Sequence, residues 1–159
     1  MYVKDIIPVD FVNYKVPSMY VAFPYCTFKC EKDCGIACCH NSALAKATNI
    51  DITPERIVQM YMNEAKPIAK ALVCCGLEPL DSFGDLVDLI IEFRRCTSDP
   101  IVVYTGYTED EATAYIQALQ KFPDILVKFG RFIPDRPHHV DPVLGVELAS
   151  DNQYAKKIS

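Results

Sequence analysis

Apolar positions change their period along this chain, and each change marks an element. Met19 to Phe23 (Met-Tyr-Val-Ala-Phe) is a short, nearly continuous apolar run, the pattern of a buried strand, and it leads straight into a cysteine-rich stretch. Thr53-Pro54-Glu55 combines an N-cap residue with proline at the first helical position and predicts a helix to about Ala65. Ala69 to Cys74 is a second apolar run. Gly76-Leu77-Glu78-Pro79 stops it, because such a sequence cannot continue a strand. Phe83, Leu86, Val87, Ile90 and Ile91 then recur at helical spacing, which predicts an amphipathic helix over Asp81 to Arg95. Ile101 to Tyr104 reads as a third strand. Thr108-Glu109-Asp110-Glu111 is a capping box for a helix reaching about Lys121, and Ile125 to Phe129 makes a fourth strand. Beyond Pro134 the periodicity fades until Gln153 to Ile158, and Pro134, Pro137 and Pro142 predict an irregular loop.

Strands alternating with helices imply β-α-β units, an α/β class and a parallel sheet. Ligands of such sheets sit at the carboxyl ends of the strands. Those ends carry the cysteine stretch, Gly76-Leu77-Glu78, Thr105-Gly106-Tyr107 and Gly130-Arg131, so the conspicuous residues fall on one edge.

With 159 residues and half of them hydrophobic, the chain is long enough for one domain, residues 1–159, with a real core. No window approaches membrane-spanning length without charge. Met1-Tyr2-Val3-Lys4-Asp5 lacks the basic-then-apolar layout of a signal peptide, so a cytoplasmic protein is expected. The net charge of −5, with no basic stripe, argues against nucleic acid as a partner. In that setting the eight cysteines read as reduced or metal-bound rather than as a disulfide framework.

Five of them lie between Cys26 and Cys39, and the last runs into His40, Asn41 and Ser42. Thiolates this close repel one another and oxidise, so a metal, an iron–sulfur cluster or disulfides must neutralise them. A four-iron cube needs thiolates carried on a flexible loop, and one held by only three thiolates keeps an iron open for a small molecule.

Four stretches carry a resemblance to the radical S-adenosylmethionine enzymes, and within them to the activating proteins of anaerobic ribonucleotide reductase. They are Cys26-x3-Cys30 with Cys39-His40-Asn41; Gly76-Leu77-Glu78-Pro79-Leu80; Tyr104-Thr105-Gly106-Tyr107-Thr108; and Ala149-Ser150-Asp151-Asn152-Gln153. They stand in the family's order and span most of the chain from Met19 to Ile158. The chain also departs from the pattern. Eight residues, Cys34 and Cys38 among them, separate Cys30 from Cys39 where the family has two, and Cys38 stands where an aromatic is usual. Gly76-Leu77-Glu78 replaces Gly-Gly-Glu, and Asn13-Tyr14-Lys15-Val16-Pro17 replaces an aspartate- and glycine-rich segment.

The resemblance implies a partial (β/α) barrel-like fold, a curved and mostly parallel sheet with flanking helices. It implies a 4Fe–4S cluster on Cys26, Cys30 and Cys39, with S-adenosylmethionine on the open iron. Gly76 and Glu78 would bind the methionine amino end. Tyr104 belongs to the same cofactor-binding set, and Asn152 would touch S-adenosylmethionine or the partner. The implied partners are the large glycyl-radical subunit of anaerobic ribonucleotide reductase and a flavodoxin- or ferredoxin-type electron donor.

Other readings stand beside these. Cys39 is favoured as third ligand because His40-Asn41 follows it; Cys34, which restores a Cys-x3-Cys-x3-Cys rhythm, and Cys38 are its rivals. Cys74, Cys75 and Cys96 read as packing thiols. Glu78 also reads as a helix cap alone, Tyr104 and Tyr107 as wall residues alone, and His138-His139 as polar loop. A zinc-binding interaction module using Cys30, Cys34, Cys38, Cys39 or His40, an electron carrier with a four-cysteine cluster, and a radical S-adenosylmethionine enzyme acting on another protein glycine or a small molecule are the competing functions.

Overall fold

The computed structural model describes residues 1–159. Its strands are, in chain order, β1 (Tyr2–Val3), β2 (Asp5–Asp10), β3 (Ser18–Phe23), β4 (Ile50–Asp51), β5 (Leu72–Gly76), β6 (Ile101–Tyr104), β7 (Ile125–Phe129), β8 (His139–Val140), β9 (Glu147–Leu148) and β10 (Tyr154–Lys157). The helices are α1 (Lys29–Cys34), α2 (Ser42–Lys46), α3 (Pro54–Met60), α4 (Phe83–Cys96) and α5 (Thr113–Leu119). Six strands form one sheet in the order β10-β7-β6-β5-β3-β2. The four inner strands are parallel, and β2 and β10 run antiparallel at the two edges. With two free edges the sheet stays open, an α/β sheet that is mostly parallel. No helix is long and apolar enough to cross a membrane.

Register places the site. Met19 pairs with Leu72, Leu72 with Ile101, and Ile101 with Ile125, so the parallel strands start in step and finish together. Successive side chains then alternate between faces. Met19, Val21, Phe23, Leu72, Cys74, Ile101, Val103, Ile125 and Val127 pack with Ile57, Tyr61, Leu86, Leu89, Ile90 and Phe93 of the helical layer. The alternate residues Val73, Val102 and Leu126 enter a smaller cluster with Tyr14, Leu144, Leu148 and Ala155. Because both faces are covered, the inner strands read as nearly continuous apolar runs, with Lys128 of β7 the charged exception. Each large aliphatic side chain so buried stabilises the fold by roughly 1.5–3 kcal/mol.

Several expectations shift in detail. The helix from Pro54 ends at Met60, and Tyr61–Ala65 continues it with π-type bonding, in which the Lys66 N–H donates to the Tyr61 carbonyl at 2.7 Å. Tyr61 is fully buried there and donates its hydroxyl to Asp99 at 2.6 Å. The second apolar run becomes a strand only from Leu72. A 3-10 turn at Pro79–Ser82 precedes α4. The capping box forms, with the Thr108 N–H donating to Glu111 and the Glu111 N–H to the Thr108 hydroxyl, but regular helix starts only at Thr113 and ends at Leu119. The cysteine stretch, expected as loop, contains α1 and α2. Of the edge strands, β2, interrupted by Pro8, escapes the pattern, while β10 falls within the periodic stretch from Gln153 to Ile158 and exposes Tyr154, Lys156 and Lys157, as edge strands tend to.

Candidate functional site

At the carboxyl edge of β3, β5, β6 and β7 lies a cavity of about 190 Å³, on whose wall stand Cys26, Cys30, Cys39, Gly76, Glu78 and Tyr104. Main-chain bonds bring the first two segments together beyond the strand ends. The Leu77 and Glu78 N–H groups donate to the Phe23 and Tyr25 carbonyls at 3.4 and 2.9 Å, which sets Cys26 beside the Glu78 bend. Gly76 makes that bend at φ 93°, and a Cβ there would come within 2.7 Å of the Ala22 Cα. Glycine is required on both counts.

The loop after Cys26 is held from outside. Asp81 accepts the Thr27 N–H at 2.7 Å on one oxygen and the Tyr107 hydroxyl at 2.6 Å on the other. Phe28, between Cys26 and Cys30, has φ 51°, an unfavourable backbone for an aromatic residue that persists only where its surroundings impose it. Lys29 lies over the Tyr107 ring at 4.0 Å, and Arg131 bridges Glu111 at 2.7 Å and Asp33 at 3.1 Å, which clamps α1 against the β6 and β7 ends. Arg131 holds the Glu111 carboxyl down at about 2.

Cys39 is tied to both sides. Its N–H donates to the Glu31 carboxylate of α1 at 3.2 Å. Two residues later the Asn41 side chain donates to the Gly76 carbonyl at 2.6 Å. The Cys-His-Asn motif thus works as a brace between the cysteine segment and the bend. His40 packs its ring on Phe132, centroids 4.0 Å apart.

Burial pushes the Cys26 thiol up to about 11; burial, with the neighbouring Cys39, also raises Cys30. A cation is what would hold such thiols deprotonated. All three are free and face one cavity from separate segments, a donor set suited to a cube with three protein ligands. No three His, Cys, Asp or Glu side chains converge tightly enough for a single metal ion. Cys34 and Cys38 are not on this wall. Their sulfurs lie 3.0 Å from each other, and Cys34 opens on a second cavity of about 450 Å³ that shares Cys30 and Arg131 with the first.

The remaining motif residues divide. Glu78, 4 % exposed, accepts the Leu80 N–H at 3.1 Å and the Gly106 N–H at 2.8 Å, so it does cap the turn after it while facing the cavity. Burial pushes its carboxyl up to about 7 against the pull of those donors. Tyr104 borders the cavity, but its hydroxyl is committed to the Asn13 carbonyl at 2.6 Å. Asn152 lines the second cavity and donates to the Arg131 carbonyl at 2.8 Å; its neighbour Gln153 faces the first. His138 and His139 bind Glu147 and the Gln153 carbonyl and line neither cavity.

The pattern of the chain gave no role to Asn41, Asp81 or Lys128. Lys128 is buried at the cavity, held down to about 8 by desolvation, and donates to the Gly130 carbonyl at 2.8 Å. A lysine inside the apolar run Ile-Leu-Val-Lys-Phe was the available signal.

Residues 18–153 match the model of a family described as a 4Fe-4S single cluster domain. The chain belongs to that family. No curated protein and no solved structure matches it. Membership in the 4Fe-4S single cluster family points to an iron–sulfur cluster, and the cavity wall carries four thiols, those of Cys26, Cys30, Cys39 and Cys75.

Proposed function

We propose that this protein is a radical S-adenosylmethionine enzyme of the glycyl-radical-activating type, working in the cytoplasm, with its open sheet as the partial barrel of that class. The observation that carries the proposal is the gathering of Cys26, Cys30, Cys39 and Glu78 on one cavity at the carboxyl edge of the parallel strands. Cys26, Cys30 and Cys39 would hold the cluster. A cluster held there would supply the one-electron reduction by which S-adenosylmethionine would be cleaved at its sulfonium and a protein glycine would lose hydrogen. Glu78, oriented by the Gly106 and Leu80 N–H groups, would accept from the ammonium group of S-adenosylmethionine, and Gly76 would let that ligand approach the backbone. Asn41 and Asp81 keep the two cysteine segments at fixed distances from that carboxylate. Tyr104 forms wall, and Asn152, on the second cavity, would touch S-adenosylmethionine or the partner. The large subunit of anaerobic ribonucleotide reductase is the proposed radical acceptor, with a flavodoxin- or ferredoxin-type protein as electron donor.

One observation favours a second reading. Cys75 also borders the cavity, so a fourth thiolate for a fully ligated electron-carrying cluster is within the same wall. Low-temperature electron paramagnetic resonance of anaerobically reconstituted, dithionite-reduced protein separates the two. A cluster signal that changes when S-adenosylmethionine is added supports the enzyme. A signal indifferent to it supports the carrier and overturns the proposal.

A further inference from the structure

α1 ends in a turn that returns one thiol to another. Cys34 is its last residue, and Gly35 follows at φ 72°, its N–H closing the helix on the Glu31 carbonyl at 2.9 Å. Glycine takes that left-handed conformation without steric cost, so the reversal is written into the chain. Three residues later Cys38 comes back to place its sulfur 3.0 Å from that of Cys34. Both thiols are partly exposed, and theirs is the only sulfur–sulfur contact among the eight free cysteines. Neither belongs to the wall shared by Cys26, Cys30 and Cys39.

We propose that Cys34 and Cys38 form a redox-active dithiol that closes to a disulfide by exchange with small disulfides of the glutathione type. One thiolate of the pair attacks a sulfur of the small disulfide, forming a mixed disulfide and releasing one small thiol. The second thiolate then attacks the protein sulfur of that mixed bond and releases the other small thiol. The protein gives up two electrons and two protons, and one small disulfide becomes two thiols. The ring to be closed spans only five residues that the turn already holds together, so little chain entropy opposes closure. Closure removes the two rivals of Cys39 from the cysteine segment and leaves the Glu31 and Asn41 ties to that segment in place.

The test uses the metal-free protein, residues 1–159, so its outcome does not depend on the cluster or on S-adenosylmethionine. The protein is equilibrated anaerobically in buffers of reduced and oxidised glutathione, quenched in acid, alkylated and digested with trypsin. The Asp33–Lys46 peptide should carry an internal Cys34–Cys38 bond with Cys39 alkylated. Half-oxidation should need about tenfold less oxidised glutathione than any other pair, about 30 mV in potential. Cys34→Ser and Cys38→Ser should each accumulate one glutathione on the surviving partner. Oxidation that first joins Cys30 to Cys39, or that leaves the pair reduced while other cysteines react, would overturn the proposal. So would single variants that take up no glutathione.

Discussion

Replacing Glu78 by glutamine should change how the metal-free protein's stability responds to pH. The carboxyl is almost wholly buried, and burial lifts it from its ordinary value of 4.5 to about 7. Between those values the folded chain keeps a proton that the unfolded chain has released. Folding therefore loses stability as pH rises through that window. At about 1.4 kcal/mol per pH unit, the rise from 4.5 to about 7 corresponds to about 3 kcal/mol. Glutamine keeps the shape and cannot titrate, but its amide nitrogen must face one of the two backbone N–H donors that now meet oxygen. Urea unfolding of both proteins at pH 5 and pH 8 reads the difference and cancels the other titrating groups. E78Q should be the weaker protein at pH 5 and should recover about 2–3 kcal/mol against wild type at pH 8. A wild-type-to-variant difference that is the same at both pH values would refute the reasoning, because it would mean that Glu78 titrates normally in the folded chain.

Three further outcomes follow from the same geometry. Gly76→Ala meets Ala22 at 2.7 Å and a φ of 93°, so it should cost at least about 2 kcal/mol by urea midpoint; a loss within about 0.5 kcal/mol would mean that the strand end relaxes. Cys26→Ala, Cys30→Ala and Cys39→Ala should each lose reconstituted iron, whereas Cys34→Ala, Cys38→Ala and Cys75→Ala keep it; full iron in Cys39→Ala would move the third ligand elsewhere. Asn41→Ala breaks the 2.6 Å tie to the Gly76 carbonyl and should lower stability by about 1 kcal/mol and iron per chain with it; an unchanged stoichiometry would remove Asn41 from the site's support.

Much of this architecture was legible in one dimension, for identifiable reasons. The inner strands are buried on both faces, so Met19–Phe23 and, apart from Lys128, Ile125–Phe129 are apolar and could be read directly. The edge strands β2 and β10 meet solvent and carry Pro8, Lys156 and Lys157; β2 left no trace, and β10 showed only as the periodicity returning over Gln153 to Ile158. α1 was invisible because Lys-Cys-Glu-Lys-Asp-Cys buries no residue and shows no apolar period; its contacts with Arg131 and Tyr107, not its pattern, hold it in place. The capping reading of Glu78 and its place on the cavity wall were posed as rivals, yet the carboxylate does both, since its two oxygens take backbone donors while its buried face meets the cavity.

By itself the sequence determined the alternation of strands and helices, the glycine at the Gly76 bend and the supply of thiols, since periodicity, steric demand and side-chain chemistry are local properties. Only the tertiary structure decided which thiols face a common cavity and which face each other. Cys34 and Cys38 stand as near to Cys30 in sequence as Cys39 does, and it is the left-handed turn at Gly35, the Glu31 bond to the Cys39 N–H and the Asn41 brace across 35 residues that separate them. Those are choices between nearly equal local conformations, and long-range hydrogen bonds settle them because no local pattern distinguishes one thiol from the next.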